Sequence, residues 1–113
     1  MPAKRAAPLE RTIENVVVKE AQRLGIMQTK MNLIGRRGWP DRCFWLVGGC
    51  PLFIEFKRRG AAATPLQVFT HEQLRAAGYR VEVVDDAEAG KALIRGAHLR
   101  ALAERESQWE EQL

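Results

Sequence analysis

The feature that most constrains this sequence is a predicted β-hairpin near its middle. Two apolar runs, residues 42–47 and 52–57, flank a turn that contains Gly48, Gly49 and Pro51. Short runs rich in β-branched and aromatic residues predict strands, and clustered glycine and proline predict the turn between them. The hairpin also carries acids and a lysine, which an ordinary apolar hairpin would not need.

The second strand is predicted to present its charged residues together. Successive strand residues point to opposite faces of a sheet. One face therefore carries Leu52, Ile54 and Phe56, which we assign to the core. Glu55 and Lys57 project from the other face, and what they meet there depends on how the two strands pair.

Asp41 lies just before the first strand, and its position depends on the length of the turn. A turn of three or five residues would place Asp41 opposite Lys57 and diagonal to Glu55, on the same face. A turn of two or four residues would place it on the other face, unless a bulge corrected the register. Pro40 ends regular pairing here, so we expect some irregularity.

Two carboxylates and a lysine on one face allow two interpretations. Paired carboxylates with a backbone carbonyl are hard oxygen ligands that suit Mg²⁺ or Mn²⁺. Such an ion lowers the pKa of a water that can attack a phosphate, and Lys57 would position that water or stabilise the developing charge. The alternative is a surface salt bridge worth at most about 1 kcal/mol. Glu-x-Lys by itself does not decide between them.

The rest of the chain alternates between helical and strand patterns. Helices are predicted over residues 9–24, 65–77 and 86–95, and further strands over residues 26–34 and 80–84. The order is helix, three strands, helix, strand, helix. This order predicts a mixed α/β domain.

The chain length corresponds to one domain. We expect a basic tail over residues 1–8, a domain over residues 9–95 and a C-terminal helical extension over residues 96–113. The extension is expected to pack on its own domain or on a partner. Its residues at helical spacing are Leu99, Leu102, Ala103, Glu106, Trp109 and Leu113.

The positive charge of the chain concentrates around the hairpin. Lysine and arginine outnumber aspartate and glutamate by 18 to 14. Arg36 and Arg37 precede the Pro-Asp pair, and Arg58 and Arg59 follow Lys57. This distribution suits a polyanionic partner such as nucleic acid.

The cysteines and the N-terminus favour a cytoplasmic protein. Cys43 and Cys50 match no metal-binding or redox spacing, so we expect reduced thiols and no zinc site. The sequence has no apolar run typical of a signal peptide or a membrane span. We therefore expect no association with a membrane.

Several motifs together resemble the VRR-NUC family of the PD-(D/E)XK nuclease superfamily. They are Gly-x-Pro-Asp at residues 38–41, Glu-Phe-Lys at 55–57 after a thirteen-residue interval, and Pro-Leu-Gln at 65–67. The resemblance covers residues 10–94 and is closest to the short, stand-alone members from phages and bacteria. It implies a restriction-endonuclease-like α/β core, in which helices flank a mixed central sheet.

The resemblance also implies a set of site residues. Asp41, Glu55 and Lys57 match the two acids and the lysine of the family's motifs. A glutamate of the first helix would complete the site, and we choose Glu14, with Glu10 as an alternative four residues away. The Mg²⁺ or Mn²⁺ ligands implied are Asp41, Glu55, Glu14 and the Phe56 carbonyl.

Four further residues have two interpretations each. Gln67 matches a glutamine of the family, but a capping box with Thr64 accounts for it equally well. His71 could face DNA, although a histidine on the surface of a helix is the simpler expectation. Trp39 and Trp45 could stack on bases, and we expect Trp45 to be packed in the strand.

The function implied by the resemblance is a metal-dependent DNA endonuclease. The family implies homodimers that act on branched DNA such as Holliday junctions, and Arg36, Arg37, Arg58 and Arg59 would grip phosphates. The alternative is a non-catalytic nucleic-acid-binding module. Such a module would keep the basic loops but would not need Asp41, Glu55 and Lys57 together.

Overall fold

A computed structural model describes residues 9–31 and 37–112 of the chain. The predicted N-terminal tail and Arg36 lie outside these residues. Among the described residues, no helix is both long enough and apolar enough to cross a membrane. The elements in chain order are α1 (Glu10–Arg23), β1 (Met27–Lys30), β2 (Arg42–Leu46), β3 (Cys50–Phe56), α2 (Pro65–Ala76), β4 (Arg80–Val84) and α3 (Ala87–Glu111).

The four strands form one mixed sheet in the order β1-β2-β3-β4. The first three strands are antiparallel, and β4 runs parallel to β3. Parallel neighbours need a crossover connection, and α2 lies in the connection between β3 and β4. The predicted α/β core with a mixed central sheet is therefore confirmed.

The hairpin turn has three residues, so Leu46 pairs with Cys50. Gly48 and Gly49 have φ angles of 79° and 74°, a region that favours glycine. The prediction had placed Pro51 in the turn, but Pro51 lies within β3. A turn that closes earlier shifts the register of the hairpin.

The shifted register changes the neighbours of Asp41. The ladder ends where Arg42 pairs with Ile54, and the N–H of Asp41 also donates to the Ile54 carbonyl at 3.1 Å. The predicted irregularity beside Pro40 is therefore present. Asp41 lies next to the Ile54–Phe56 segment, and the expectation that it stands opposite Lys57 was wrong.

The two faces of the sheet have different covers. α1 and α3 cover one face, where Leu52, Ile54 and Phe56 are fully buried as predicted. On the other face, Leu74 of α2 packs against Cys43, Phe53 and Val81. Glu55 belongs to this second face, because it alternates with the core residues of β3. The charged residues therefore lie beneath or beside α2.

The last two predicted helical segments are one helix. The break expected after Arg95 was wrong, since α3 continues through Gly96 to Glu111. Glycine inside a helix costs only about 1 kcal/mol relative to alanine. The burial of Ala97 and Ala101 in the core beyond Gly96 offsets that cost.

Alanine is expected to have opposite effects on stability at two glycines of α3. A Cβ at Gly90 would lie 2.5 Å from Val17 Cγ2 and 2.9 Å from Val84 Cγ1, whereas at Gly96 it would meet nothing within 4 Å. We expect Gly90→Ala to destabilise the fold by about 1–3 kcal/mol through overpacking. The control, Gly96→Ala, should be neutral or stabilising by up to about 1 kcal/mol. Urea unfolding measures both, and a Gly90→Ala protein as stable as Gly96→Ala would contradict this packing.

Candidate active site

The Asp41 carboxylate is fixed at the point where β2 begins. Its Oδ2 atom accepts a hydrogen bond of 2.7 Å from the Phe56 N–H, and the Asp41 carbonyl accepts one of 2.8 Å from the Met31 N–H. Backbone groups of two neighbouring segments thus hold the residue on both sides. The carboxylate is placed directly beside the Glu55–Phe56 segment.

Glu55 is a buried acid, with only 2% of its side chain exposed. Burial contributes most to raising the pKa of Glu55 to about 8, and the charge of Asp41 and side-chain hydrogen bonding with Asp41 contribute the rest of the rise. The charge of Lys57 acts in the opposite direction. Two carboxyl groups this close do not both ionise readily unless a cation compensates them.

Lys57 and the Phe56 carbonyl complete the predicted group. The positive charge of Lys57 lowers the pKa of both Glu55 and His71. Phe56 directs its N–H toward Asp41. In an antiparallel ladder the N–H and C=O of one residue point to the same neighbouring strand. The Phe56 carbonyl is therefore directed toward the side on which Asp41 lies.

The two candidate acids of the first helix both reach the site. Glu14 forms an ion pair with Arg42, which also donates to the Gln28 side chain. Glu10 lies one turn earlier, and its charge raises the pKa of Glu55. A groove of about 520 Å³ opens in front of them. Its lining residues are Leu9, Glu10, Arg11, Glu14, Lys30, Asp41 and Arg58.

The donor set fits a magnesium-type ion. No group of three or more His, Cys, Asp or Glu side chains within residues 9–31 and 37–112 is arranged to hold a metal by itself. Magnesium keeps several waters, however, and often takes only one or two protein carboxylates. Asp41 and Glu55 supply two, side by side at the start of β2 and the end of β3. The residues therefore suit Mg²⁺ or Mn²⁺ with a largely aqueous shell.

Comparisons with known proteins identify the family. No family model matches the sequence. A protein named "Putative nuclease p44", from Acyrthosiphon pisum secondary endosymbiont phage 1, is 37% identical over 84 residues, or 74% of this chain and 90% of the relative. A solved VRR-NUC domain superposes with a TM-score of 0.70 at 29% identity, over 76% of this chain and 94% of that one. The chain belongs to the VRR-NUC nuclease family. A VRR-NUC domain protein at 22% identity, with a TM-score of 0.64 over 80% of this chain and 88% of its own, has the same fold.

Gln67 forms a capping box with Thr64 in this VRR-NUC nuclease. The Thr64 hydroxyl accepts from the Gln67 N–H at 3.3 Å, and the Gln67 side-chain oxygen accepts from the Thr64 N–H at 2.9 Å. The capping interpretation is confirmed. The catalytic role of Gln67 stays a prediction.

The predicted phosphate-binding arginines of this VRR-NUC domain lie in different surroundings. Arg58 is exposed and lines the groove beside Asp41, and Arg37 is exposed. Arg59 forms an ion pair of 2.5 Å with Asp86, at the N-cap of α3. A DNA phosphate would have to compete with Asp86 for Arg59, whereas Arg58 already faces the groove.

His71 is the site neighbour that sequence reasoning missed. The expected surface histidine was wrong, because His71 is 1% exposed and its Nε2 atom lies 3.5 Å from the Glu55 Oε1 atom. The apolar residues of α2 do not mark its buried side, since Leu66 and Phe69 are exposed while Thr70 and His71 are buried. The position of Glu55 on the sheet face that α2 covers was the feature of the sequence that could have indicated a buried neighbour from α2.

The exposure of Trp45 also differs from expectation. Trp45 was expected to be packed, but it is 43% exposed and its Nε1–H donates to the Thr29 hydroxyl at 2.9 Å. It lies on β2, which has only the short strand β1 on its outer side. Trp39 is half-buried. Their stacking on bases stays a prediction.

The raised pKa of Glu55 predicts a pH-dependent stability of the metal-free protein. The ordinary value is 4.5 and the folded value about 8, so between them the unfolded chain binds fewer protons here than the folded chain. The full stabilising contribution of Glu55 is therefore present below pH 4.5, and it is lost as the pH rises through about 8. The free energy of unfolding should fall by up to about 1.4 kcal/mol per pH unit.

Urea unfolding with a chelator present, from about pH 5 to 8, measures this dependence. Glu55→Gln removes the titrating group and should flatten the profile, making the variant the more stable protein at the upper end. Identical profiles for the wild type and Glu55→Gln would contradict the assigned protonation of the buried acid.

Proposed function

We propose that this VRR-NUC nuclease is a metal-dependent DNA endonuclease that hydrolyses phosphodiester bonds. The observation that carries the proposal is the buried Glu55 carboxyl group beside Asp41, with the charges of Asp41 and Lys57 both acting on it. Two acids forced together in a partly buried site gain most from a divalent cation between them. Family membership and the name of the phage relative support nuclease function.

Each residue of the site is proposed to have a distinct role. Asp41, Glu55 and the Phe56 carbonyl would hold Mg²⁺ or Mn²⁺, helped by Glu14. When bound, the ion supplies Lewis-acid stabilisation of phosphate charge and a water of lowered pKa. Lys57 directs a fixed positive charge to the place where negative charge develops on the phosphate. Gln67, at the start of α2, is proposed to assist from the adjacent loop.

A non-catalytic DNA-binding module is the second candidate, and the burial of Glu55 argues against it. A module that only binds phosphates would be weakened by an acid beside its basic residues, because like charges of the protein and the DNA repel. Burying that acid also destabilises the folded chain. A cation-binding site accounts both for an acid beside the basic residues and for the burial of that acid.

The substrate is proposed to be DNA, and branched DNA in particular. Arg58, which lines the groove, and the exposed Arg37 are proposed to contact phosphates, with Arg36 and Arg59 as further predicted contacts. Incubation with linear, flap and four-way DNA of matched sequence, with and without Mg²⁺, tests the substrate class. Preferential cutting of the four-way DNA supports the proposal, and equal cutting of linear duplex restricts it to a general nuclease.

The proposal includes a homodimer, for which α3 offers a surface. At about 3.6 residues per turn, Leu99 and Trp109 lie about 80° apart on one broad stripe of α3. Leu99 is directly opposite the face that Ala97 and Ala101 bury in the core, and Trp109 lies to one side of that position. Leu99 is 65% exposed and Trp109 is 67% exposed, so the C-terminal extension does not bury these two side chains against its own domain. A two-fold dimer would cover such a stripe and present two equivalent sites to the two symmetry-related strands of a junction.

We expect a dimer at micromolar concentration that Leu99→Glu together with Trp109→Glu dissociates. Loss of two large apolar contacts should weaken association by roughly 2 kcal/mol or more. The control is Gln108→Glu, an exposed residue on another face of the same helix. Light scattering over a concentration series measures the effect. A wild-type monomer throughout, or a double variant that dimerises like the control, would contradict this interface.

A further inference from the structure

Two buried polar atoms without partners face each other beneath α2. Among the described residues, three buried side-chain atoms have no hydrogen-bond partner: Glu55 Oε1, His71 Nε2 and His98 Nδ1. The first two lie 3.5 Å apart, and their side chains are 2% and 1% exposed. Buried polar groups in proteins are nearly always hydrogen-bonded, so an adjacent orphaned pair requires an explanation.

The explanation follows from what each atom can do when Glu55 is ionised. An ionised carboxylate only accepts hydrogen bonds, whereas a neutral imidazole donates from one nitrogen and accepts at the other. A bond between these two atoms therefore needs the proton on His71 Nε2. The present separation of 3.5 Å is slightly longer than a good hydrogen bond, which has a donor–acceptor distance of about 2.9 Å. A small movement closes that gap.

The surroundings of His71 favour the neutral ring. The His71 side chain is 1% exposed, and a neutral ring avoids the cost of burying an imidazolium charge. A neutral ring next to an ionised carboxylate can donate one hydrogen bond without adding a charge. It can therefore orient Glu55 without competing with a cation for it.

We propose that His71 is a positioning residue for Glu55. Its Nε2–H donates to Glu55 Oε1 when Glu55 is ionised, which fixes the carboxyl plane and leaves the second oxygen free to face Asp41 and a divalent cation. Partners of this kind hold ligating groups in place, and their loss typically weakens metal affinity about 10–100-fold. The inference rests on the proposed function, since it requires Asp41 and Glu55 to bind a metal.

Calorimetric titration of metal-free protein with Mn²⁺ tests the role of the donor. His71→Leu keeps an apolar side chain in the pocket but removes the donor, and we expect it to weaken Mn²⁺ affinity about 10–100-fold. His71→Gln keeps an N–H donor at a similar reach and should restore affinity to near the wild-type value. A purely structural role predicts instead that both variants lose stability and neither loses affinity.

The titration also separates failure of this inference from failure of the proposed function. If the wild type binds Mn²⁺ and Asp41→Asn does not, while His71→Leu binds as the wild type does, the positioning role is wrong and the metal site stands. If the wild type and Asp41→Asn bind Mn²⁺ equally weakly, both proposals are wrong.

A second measurement needs no folded variant of His71. The chain has two histidines, His71 and His98, so a ¹⁵N-histidine NMR spectrum is simple to assign with a His98→Gln variant. In Mg²⁺-saturated wild type, we expect the His71 proton on Nε2. A proton on Nδ1 with a bare Nε2 would overturn the proposal, because no donor would then face Glu55.

Discussion

Replacing Lys57 with alanine is expected to lower the single-turnover cleavage rate at least about 100-fold, while leaving the fold and DNA affinity nearly unchanged. Preorganised charges aimed at developing negative charge contribute factors of this size to catalysis. Lys57 is half-buried on the polar face of the sheet, and its charge acts on Glu55 and His71. Its removal takes one positive charge from the proposed site and leaves the apolar core on the α1 side intact.

The measurement pairs single-turnover cleavage with thermal melting and DNA binding. Lys19→Ala is the matched control, because Lys19 is exposed on α1 and carries the same charge. Both variants lose one positive charge, so any general electrostatic effect on DNA affinity should be shared. Cleavage by folded Lys57→Ala at the rate of Lys19→Ala would remove Lys57 from the mechanism.

Asp41→Asn and Glu55→Gln are expected to weaken Mn²⁺ binding by at least about tenfold each, which corresponds to about 1.4 kcal/mol. Each substitution removes one anionic ligand and keeps the shape of the side chain. The amide introduced by Asp41→Asn would retain an oxygen that can accept from the Phe56 N–H, so the β2 start should remain in place. Glu55→Gln should also stabilise the metal-free protein near pH 8, because it removes an acid that burial disfavours.

These opposite effects of Glu55→Gln separate a functional acid from a structural one. If Glu55 only stabilised the fold, its substitution would make the protein less stable. If Glu55 is a metal ligand at a buried position, its substitution weakens Mn²⁺ binding and makes the metal-free protein more stable. Asp85→Asn is the control, since Asp85 accepts a hydrogen bond from the Gly60 N–H outside the site. Unchanged Mn²⁺ affinity in both site variants would contradict the assignment of Asp41 and Glu55 as ligands.

The fold class and the face of the acids could be predicted because both follow from local patterns. Alternation along the second strand placed Glu55 and Lys57 opposite the core, and an odd turn length kept Asp41 on their face. The register could not be fixed in the same way. A three-residue turn can begin at Val47 or at Gly48, and only the packing of the whole sheet selects between the two positions.

The parts that the sequence did not predict depend on contacts between distant segments. Gly96 is a stop signal by itself, yet Ala97 and Ala101 pack against the core and extend α3 past it. The burial of His71 depends on how α2 crosses the sheet, which the apolar residues of α2 do not reveal. In both cases the tertiary contact outweighs the local preference.

The most direct test of the central proposal is single-turnover cleavage of four-way DNA by metal-stripped protein before and after Mg²⁺ is restored. We expect no cleavage without Mg²⁺, cleavage by the wild type once Mg²⁺ is added, and none by Lys57→Ala under the same conditions. Cleavage that persists in the chelated wild type, or that survives in Lys57→Ala, would contradict a metal-dependent site built from Asp41, Glu55 and Lys57.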